Sequence, residues 1–168
     1  MDFDKSDAFD APLEKVAAIL LDLDFQSSLD GLEPLSERTI LSQEESPDGH
    51  IVRRTRCVLD IEISGVARTF LGDAKPAWVE EAIWHPADHR WEWTIHPEVA
   101  KDLFEASGTI ELTTVGTQTH RRVSGSVAVS VPIYGGRVEG WIIDGIKHAY
   151  EEEARRLREW LEREKPEA

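Results

Sequence analysis

The residues best suited to chemistry in this sequence are six histidines, one cysteine and six tryptophans. His85 and His89 flank a tight turn with Asp88 between them, a spacing that could offer two imidazoles and a carboxylate to a metal. The same spacing describes a solvated hairpin tip, and the surrounding Pro86-Ala87-Asp88-His89 turn favours the tip. His96 stands before Pro97 at a strand end, where a general base could sit, but no partner for it is identifiable. Cys57 lies within a strand pattern, and a nucleophilic thiol needs a lowered pKa and a nearby base. A buried, inert thiol is the expectation. One cysteine permits neither a disulfide within the chain nor a cysteine-based zinc site. There is no Gly-x-Ser-x-Gly elbow, Walker loop or Gly-x-Gly-x-x-Gly turn. No catalytic residue, metal ligand or cofactor is expected.

The tryptophans are more suggestive. Trp91 and Trp93 lie two apart, so on a strand they share a face with Ile95, while Arg90, Glu92 and Thr94 take the other. Indoles on such a face either fill a core or wall a pocket for an apolar or aromatic ligand, with their N–H groups as donors.

The whole-chain properties narrow the partners. The chain has 168 residues, a length for one domain spanning residues 1–168, and a net charge of −14. Phosphate backbones and anionic lipid surfaces repel such a surface, so nucleic acid is not an expected partner. Arg53, Arg54 and Arg56 are the densest basic group, and strand alternation would divide them between two faces. No apolar run approaches the roughly 20 residues that cross a bilayer, so stable membrane insertion is not expected. The opening MDFDKSDAFD lacks the basic and apolar regions of a signal peptide, and a cytoplasmic location is the expectation.

Positioning elements follow from periodicity. Asp2 to Phe9 reads as a strand; Pro12 opens a helix with Asp10 as its expected cap, and a second short helix runs from about Asp24 to Leu29. Leu35 to Glu45 and Ile51 to Ile61 form a hairpin about Ser46-Pro47-Asp48-Gly49. Glu62 to Pro76 reads as a short helical or irregular insertion. Trp78 to His85 and Arg90 to His96 make the next hairpin. Gly108, Ile110 and Leu112 then alternate with polar residues, as do Val123, Gly125, Val127 and Val129. From about Gly136 to Arg163 one amphipathic helix places Val138, Ile142, Ile146, Ala149, Leu157 and Leu161 on a stripe. Its Glu151–Arg155 and Glu152–Arg156 pairs belong to a solvated face. Gly135-Gly136 is expected to be a tight strand-to-helix joint.

A meander with one apolar face must bury that face, and only the long helix is large enough to cover it. The fold class expected is therefore α+β: a curved antiparallel sheet of about six to seven strands wrapped around a long C-terminal helix, with two short helices after the first strand. Any space left between sheet and helix would be lined by Trp91, Trp93, Ile95, Ile110, Leu112, Val127, Val129, Ile142 and Ile146.

This order of elements resembles the START and birch-pollen-allergen superfamily, whose members share the helix-grip fold. Three stretches resemble a bacterial family catalogued only as a domain of unknown function: DAFDAPLEKVAAIL, SGSVAVSVPIYGGRVEGWI and EEEARRLREWL. Val131-Pro132-Ile133-Tyr134-Gly135-Gly136-Arg137 is similar to that family's strand-to-helix passage. Plant members of the superfamily carry a glycine-rich loop where this chain has only Ser46-Pro47-Asp48-Gly49, so no phosphate-type loop carries over. The resemblance implies the fold and, with the pocket reading, the binding of a small hydrophobic molecule, lipid-like or aromatic. It also implies an alternative, a cyclase or dehydratase acting on such a molecule. That would require an acid–base pair inside the pocket, and the cleanly alternating strands offer no inward acid or histidine. A protein-interaction domain using the sheet edge or helix is the remaining alternative.

Overall fold

A computed structural model describes residues 1–33, 35–60, 62, 65, 68–69 and 72–165. The elements are β1 (Asp2–Phe9), α1 (Leu13–Leu21), α2 (Leu23–Ser28), β2 (Leu35–Glu45), β3 (Ile51–Leu59), β4 (Ala77–His85), β5 (Arg90–Pro97), β6 (Phe104–Val115), β7 (Gln118–Val129) and α3 (Gly135–Arg163). The insertion expected over residues 62–76 falls partly outside the described residues.

The seven strands among the described residues form one curved antiparallel sheet in the order β1-β7-β6-β5-β4-β3-β2. Consecutive hairpins build β2 to β7, and β1 closes beside β7. The chain therefore passes from one sheet edge to the other through α1 and α2. The 29 residues of α3 span about 40 Å. The helix packs closest to β7 and β1.

Local chemistry accounts for the boundaries. Pro12 precedes α1 with no side-chain cap, so the expected Asp10 cap is not formed. Asp22 is the residue that caps, its carboxylate accepting from the backbone N–H of Asp24 and Phe25 at the start of α2. The joint before α3 needs Gly135, since a Cβ there would lie 2.5 Å from the Val129 carbonyl oxygen, whereas one at Gly136 would meet nothing within 4 Å.

The core runs along the inner face, with Val16, Phe25, Val123, Val127, Ala154 and Leu157 fully enclosed. Each large apolar side chain among them contributes roughly 1.5–3 kcal/mol through burial. Phe25 meets Trp160 edge-on at 5.3 Å, tying α2 to α3. The expected helix stripe needs a correction in phase. Ile143, Ala154, Leu157 and Leu161 are buried, while Ile142 and Ile146 are only partly covered and Trp141 is 64% exposed. In the N-terminal half of α3, Gly135 and Ile143 are buried and Glu139 accepts from the Val129 backbone N–H, while Ile142 and Ile146 keep accessible surface.

Candidate site between the sheet and the long helix

One transverse row of residues organises the inner face. Across all seven strands the register aligns Gln43, Arg53, Ala82, Trp93, Gly108, Gly125 and Phe3. Trp93 lies over the two glycines: added Cβ atoms at Gly108 and Gly125 would sit 2.6 Å and 2.5 Å from its Cζ2. Phe3 closes the row, its ring 6.2 Å from that of Trp93. The indole thus forms an aromatic floor that only glycine permits on the neighbouring strands. Its Nε1–H is buried without an acceptor, a state that destabilises a fold by about 1–3 kcal/mol.

Polar side chains gather on the α1 side of this row. Arg53 is 8% exposed, and its guanidinium lies 4.6 Å over the Trp91 ring. Its Nη1 donates to the Leu20 carbonyl at 2.9 Å and to Gln43 Oε1 at 3.3 Å, while Nε has no acceptor. Leu20 belongs to the last turn of α1, whose carbonyls lack partners within the helix and attract a cation. Gln26 Nε2 donates to the same carbonyl, and Gln43 Nε2 to that of Leu21. Arg38 in turn donates to the Gln26 carbonyl and side chain at 2.6 and 2.7 Å.

Glu80 is a diagonal neighbour of Arg53, facing inward opposite Thr55 on β3 and Ile95 on β5. Burial raises its pKa, and the charges of Arg53 and Arg38 only partly offset that. Burial likewise raises the Tyr150 phenol from α3, with Glu80 and Glu153 adding to the shift. Both side chains sit deep, yet both residues keep accessible surface. Burial also lowers the Arg53 pKa, which Glu80 opposes.

A second buried arginine has a different task. Arg121 is 1% exposed and donates to Asp7 Oδ2 from Nε at 3.2 Å and from Nη2 at 2.7 Å, to Glu153 from Nη1, and to the Tyr150 carbonyl at 3.1 Å. It lies between the rings of Phe9 and Tyr150, 5.4 and 5.2 Å from their centroids. Three elements, β1, β7 and α3, are thereby clamped by one side chain.

Of the residues expected to line the space, Trp91, Trp93, Leu112 and Val127 are buried in the inner face. Ile95, Ile110, Val129, Ile142 and Ile146 are partly covered and pack against that core. The polar members Arg53, Glu80, Tyr150, Glu153, Arg121 and Asp7 were missed. Strand parity signals two of them: Arg121 shares the face of Val123, and Glu80 that of Ala82 and Trp84. The inward carboxylates come from β1, β4 and α3, outside the strands whose alternation is clean. Arg54 and Arg56 point outward, to Glu81 and to Glu98 with Glu37.

The other candidates lie elsewhere. His85 stacks edge-on with His50 at 4.4 Å on the outer face, and His89 sits at the turn with a φ of 50°. Among the described residues no group of three or more His, Cys, Asp or Glu is placed to hold a metal. Cys57 is buried, and burial above all pushes its thiol up to about 12. Two shallow depressions, of about 210 and 390 Å³, lie at Ser28 with Trp160 and on the outside of β1 and β7. Neither is the space between sheet and helix.

Comparison with known proteins agrees with this architecture. The structure of TTHA0849 from Thermus thermophilus superposes with a TM-score of 0.67 at 18% identity, covering 94% of this chain and 97% of that one. The Zhui aromatase/cyclase from Streptomyces sp. R1128 gives 0.66 at 12% identity, covering 97% and 94%. A START superfamily protein from Mycobacterium smegmatis gives 0.60 at 16% identity, covering 96% and 97%. The fold is the helix-grip fold that these structures share. Residues 4–161 match the family described as protein of unknown function (DUF2505), and the chain belongs to that family. No curated protein matches the chain.

Proposed function

We propose that this protein binds a small hydrophobic molecule, lipid-like or aromatic, between the inner face of the sheet and α3. The observation that carries this reading is the pairing of partly covered apolar residues from both walls. Ile95, Ile110 and Val129 on the sheet and Ile142 and Ile146 on the helix keep accessible surface while packed against the core. Apolar surface retained that way is stabilised when a ligand removes it from water. Nothing in this reading requires insertion into a membrane, and among the described residues no helix is long and apolar enough to cross one.

Titration with the neutral probe N-phenyl-1-naphthylamine tests the reading, alongside native mass spectrometry of protein purified from its source. Expected are saturable probe binding and a retained small molecule. Trp93→Phe should weaken probe binding while losing less stability than Leu157→Ala, a truncation that removes about 2–5 kcal/mol. If Trp93→Phe leaves the probe unaffected and destabilises as much as Leu157→Ala, the indole is ordinary core and the reading fails.

A second reading is favoured by Glu80 and Tyr150. A carboxyl whose pKa burial raises, near a phenol raised in the same way, is the kind of pair that exchanges protons with an apolar substrate, as a cyclase or dehydratase requires. Glu80→Gln that abolished turnover while leaving probe affinity intact would select it.

A further inference from the structure

We propose that the molecule held in this space carries a carboxylate at one end, bound by the free edge of Arg53. This rests on the space being an apolar ligand site.

Charge pairing is the first ground. Two arginines are buried on the inner face. Arg121 is matched by Asp7 and Glu153. Arg53 has no carboxylate oxygen within 4.0 Å among the described residues. Glu80 acts on it from a diagonal position but makes no ion pair with it, and a buried cation left without a paired carboxylate is expensive to hold, so a ligand anion would supply what is missing.

The second ground is the polarity of the unpaired atoms. Among the described residues, the inward side chains with a buried, unpartnered hydrogen-bonding atom are Arg53 at Nε and Trp93 at Nε1. Both are donors, both residues are more than nine-tenths buried, and both stand in one transverse row with only Ala82 between them. The absent partner is therefore an acceptor. A ligand ending in an amine would satisfy neither.

The third ground is geometric. The Nη1 atom of Arg53 is engaged by Leu20 and Gln43, which fixes the guanidinium against the end of α1. Its Nε–Nη2 edge remains, the planar pair that a carboxylate meets with two parallel hydrogen bonds. From there the apolar residues Ile95, Ile110, Ile142 and Ile146 offer a path for the rest of the molecule.

Glu80 is the group a bound anion would confront. The charged and titratable groups acting on it are Arg53 and Arg38 from β3 and β2, and Glu153 and Tyr150 from α3. Neutralising Glu80 removes the competing negative charge, so its amide variant should favour an acidic ligand.

The test compares matched acids and alcohols by calorimetric titration at neutral pH: decanoate against decanol, and 2-naphthoate against 2-naphthylmethanol. In the wild type at least one acid should bind about tenfold or more tighter than its alcohol, a difference of about 1.4 kcal/mol. Arg53→Gln should erase that preference and leave the alcohol unchanged, and Glu80→Gln should strengthen acid binding alone. Should Arg53→Gln not fold, the double variant with Glu80→Gln, which leaves neither charge stranded, carries the comparison. Alcohols binding as tightly as acids, or Arg53→Gln weakening both equally, would overturn the carboxylate while leaving hydrophobic binding intact. Failure of all four compounds and of the neutral probe would overturn both.

Discussion

The Trp93 indole occupies the place a side chain at Gly125 would need, with Cζ2 only 2.5 Å from where that Cβ would stand. The Ser107 carbonyl lies 2.6 Å from the same point, so neither backbone nor ring can yield cheaply. Gly125→Ala should therefore destabilise by about 1–3 kcal/mol, as overpacking of a tight core does. Thermal melting and the emission maximum of the tryptophans report it together. Gly140→Ala is the control: a Cβ there meets nothing within 4 Å, and on α3 the alanine should leave stability unchanged or raise it by up to about 1 kcal/mol.

Arg121 predicts both a mutational and a pH effect. Arg121→Met strands Asp7 and Glu153 without their cation, which in buried pairs destabilises by about 3–5 kcal/mol. Adding Asp7→Asn to that variant should restore part of the loss in a denaturant melt. Burial alone would raise the Asp7 pKa, but Arg121, aided by Lys5, holds it below its ordinary 3.8. A depressed folded pKa means that Asp7 stabilises above pH 3.8 and that this contribution disappears as pH falls through the folded value. Acid unfolding curves should be shallower in Asp7→Asn over that window. An identical acid dependence in the two proteins would show that the clamp does not contribute to it.

Cys57 should be nearly unreactive. With its thiol pushed up to about 12, the thiolate is scarce near pH 8 and the native chain should react with a disulfide reagent about a thousandfold more slowly than an ordinary exposed thiol. Denaturant should restore the normal rate. Fast reaction in the native state would place the sulfur at an accessible surface.

Much of the architecture was legible because it rests on local periodicity. The bounds of β1 and β2 follow from alternation and from the Ser46-Pro47-Asp48-Gly49 turn, and the inward face of β5 to β7 follows from parity alone. A run of residues commits to a strand or a helix through its own backbone geometry and the sidedness of its apolar groups. The long helix was legible for the same reason, but its phase was not. Which stripe is sealed depends on how α3 is rotated where it meets β7 and β1, and that rotation buries Ile143 and leaves Ile142 and Ile146 partly covered.

The polar end of the site belongs to tertiary structure. Gln43, Arg53 and Trp93 are unrelated in sequence and become one row only through strand register. In sequence Arg53 belongs to a basic group that alternation divides between two faces, and Tyr150 adjoins the Glu and Arg residues of a solvated helix face. Their burial is a consequence of sheet curvature and of α1 and α2 crossing between the sheet's edges, which places the Leu20 carbonyl within reach of Arg53. Sequence by itself determined the alternating faces, the elements and the aromatic side chains available. Only the closing of the sheet about α3 decided which charges would face one another away from water, because desolvation depends on every element that surrounds a group and on no single stretch of chain.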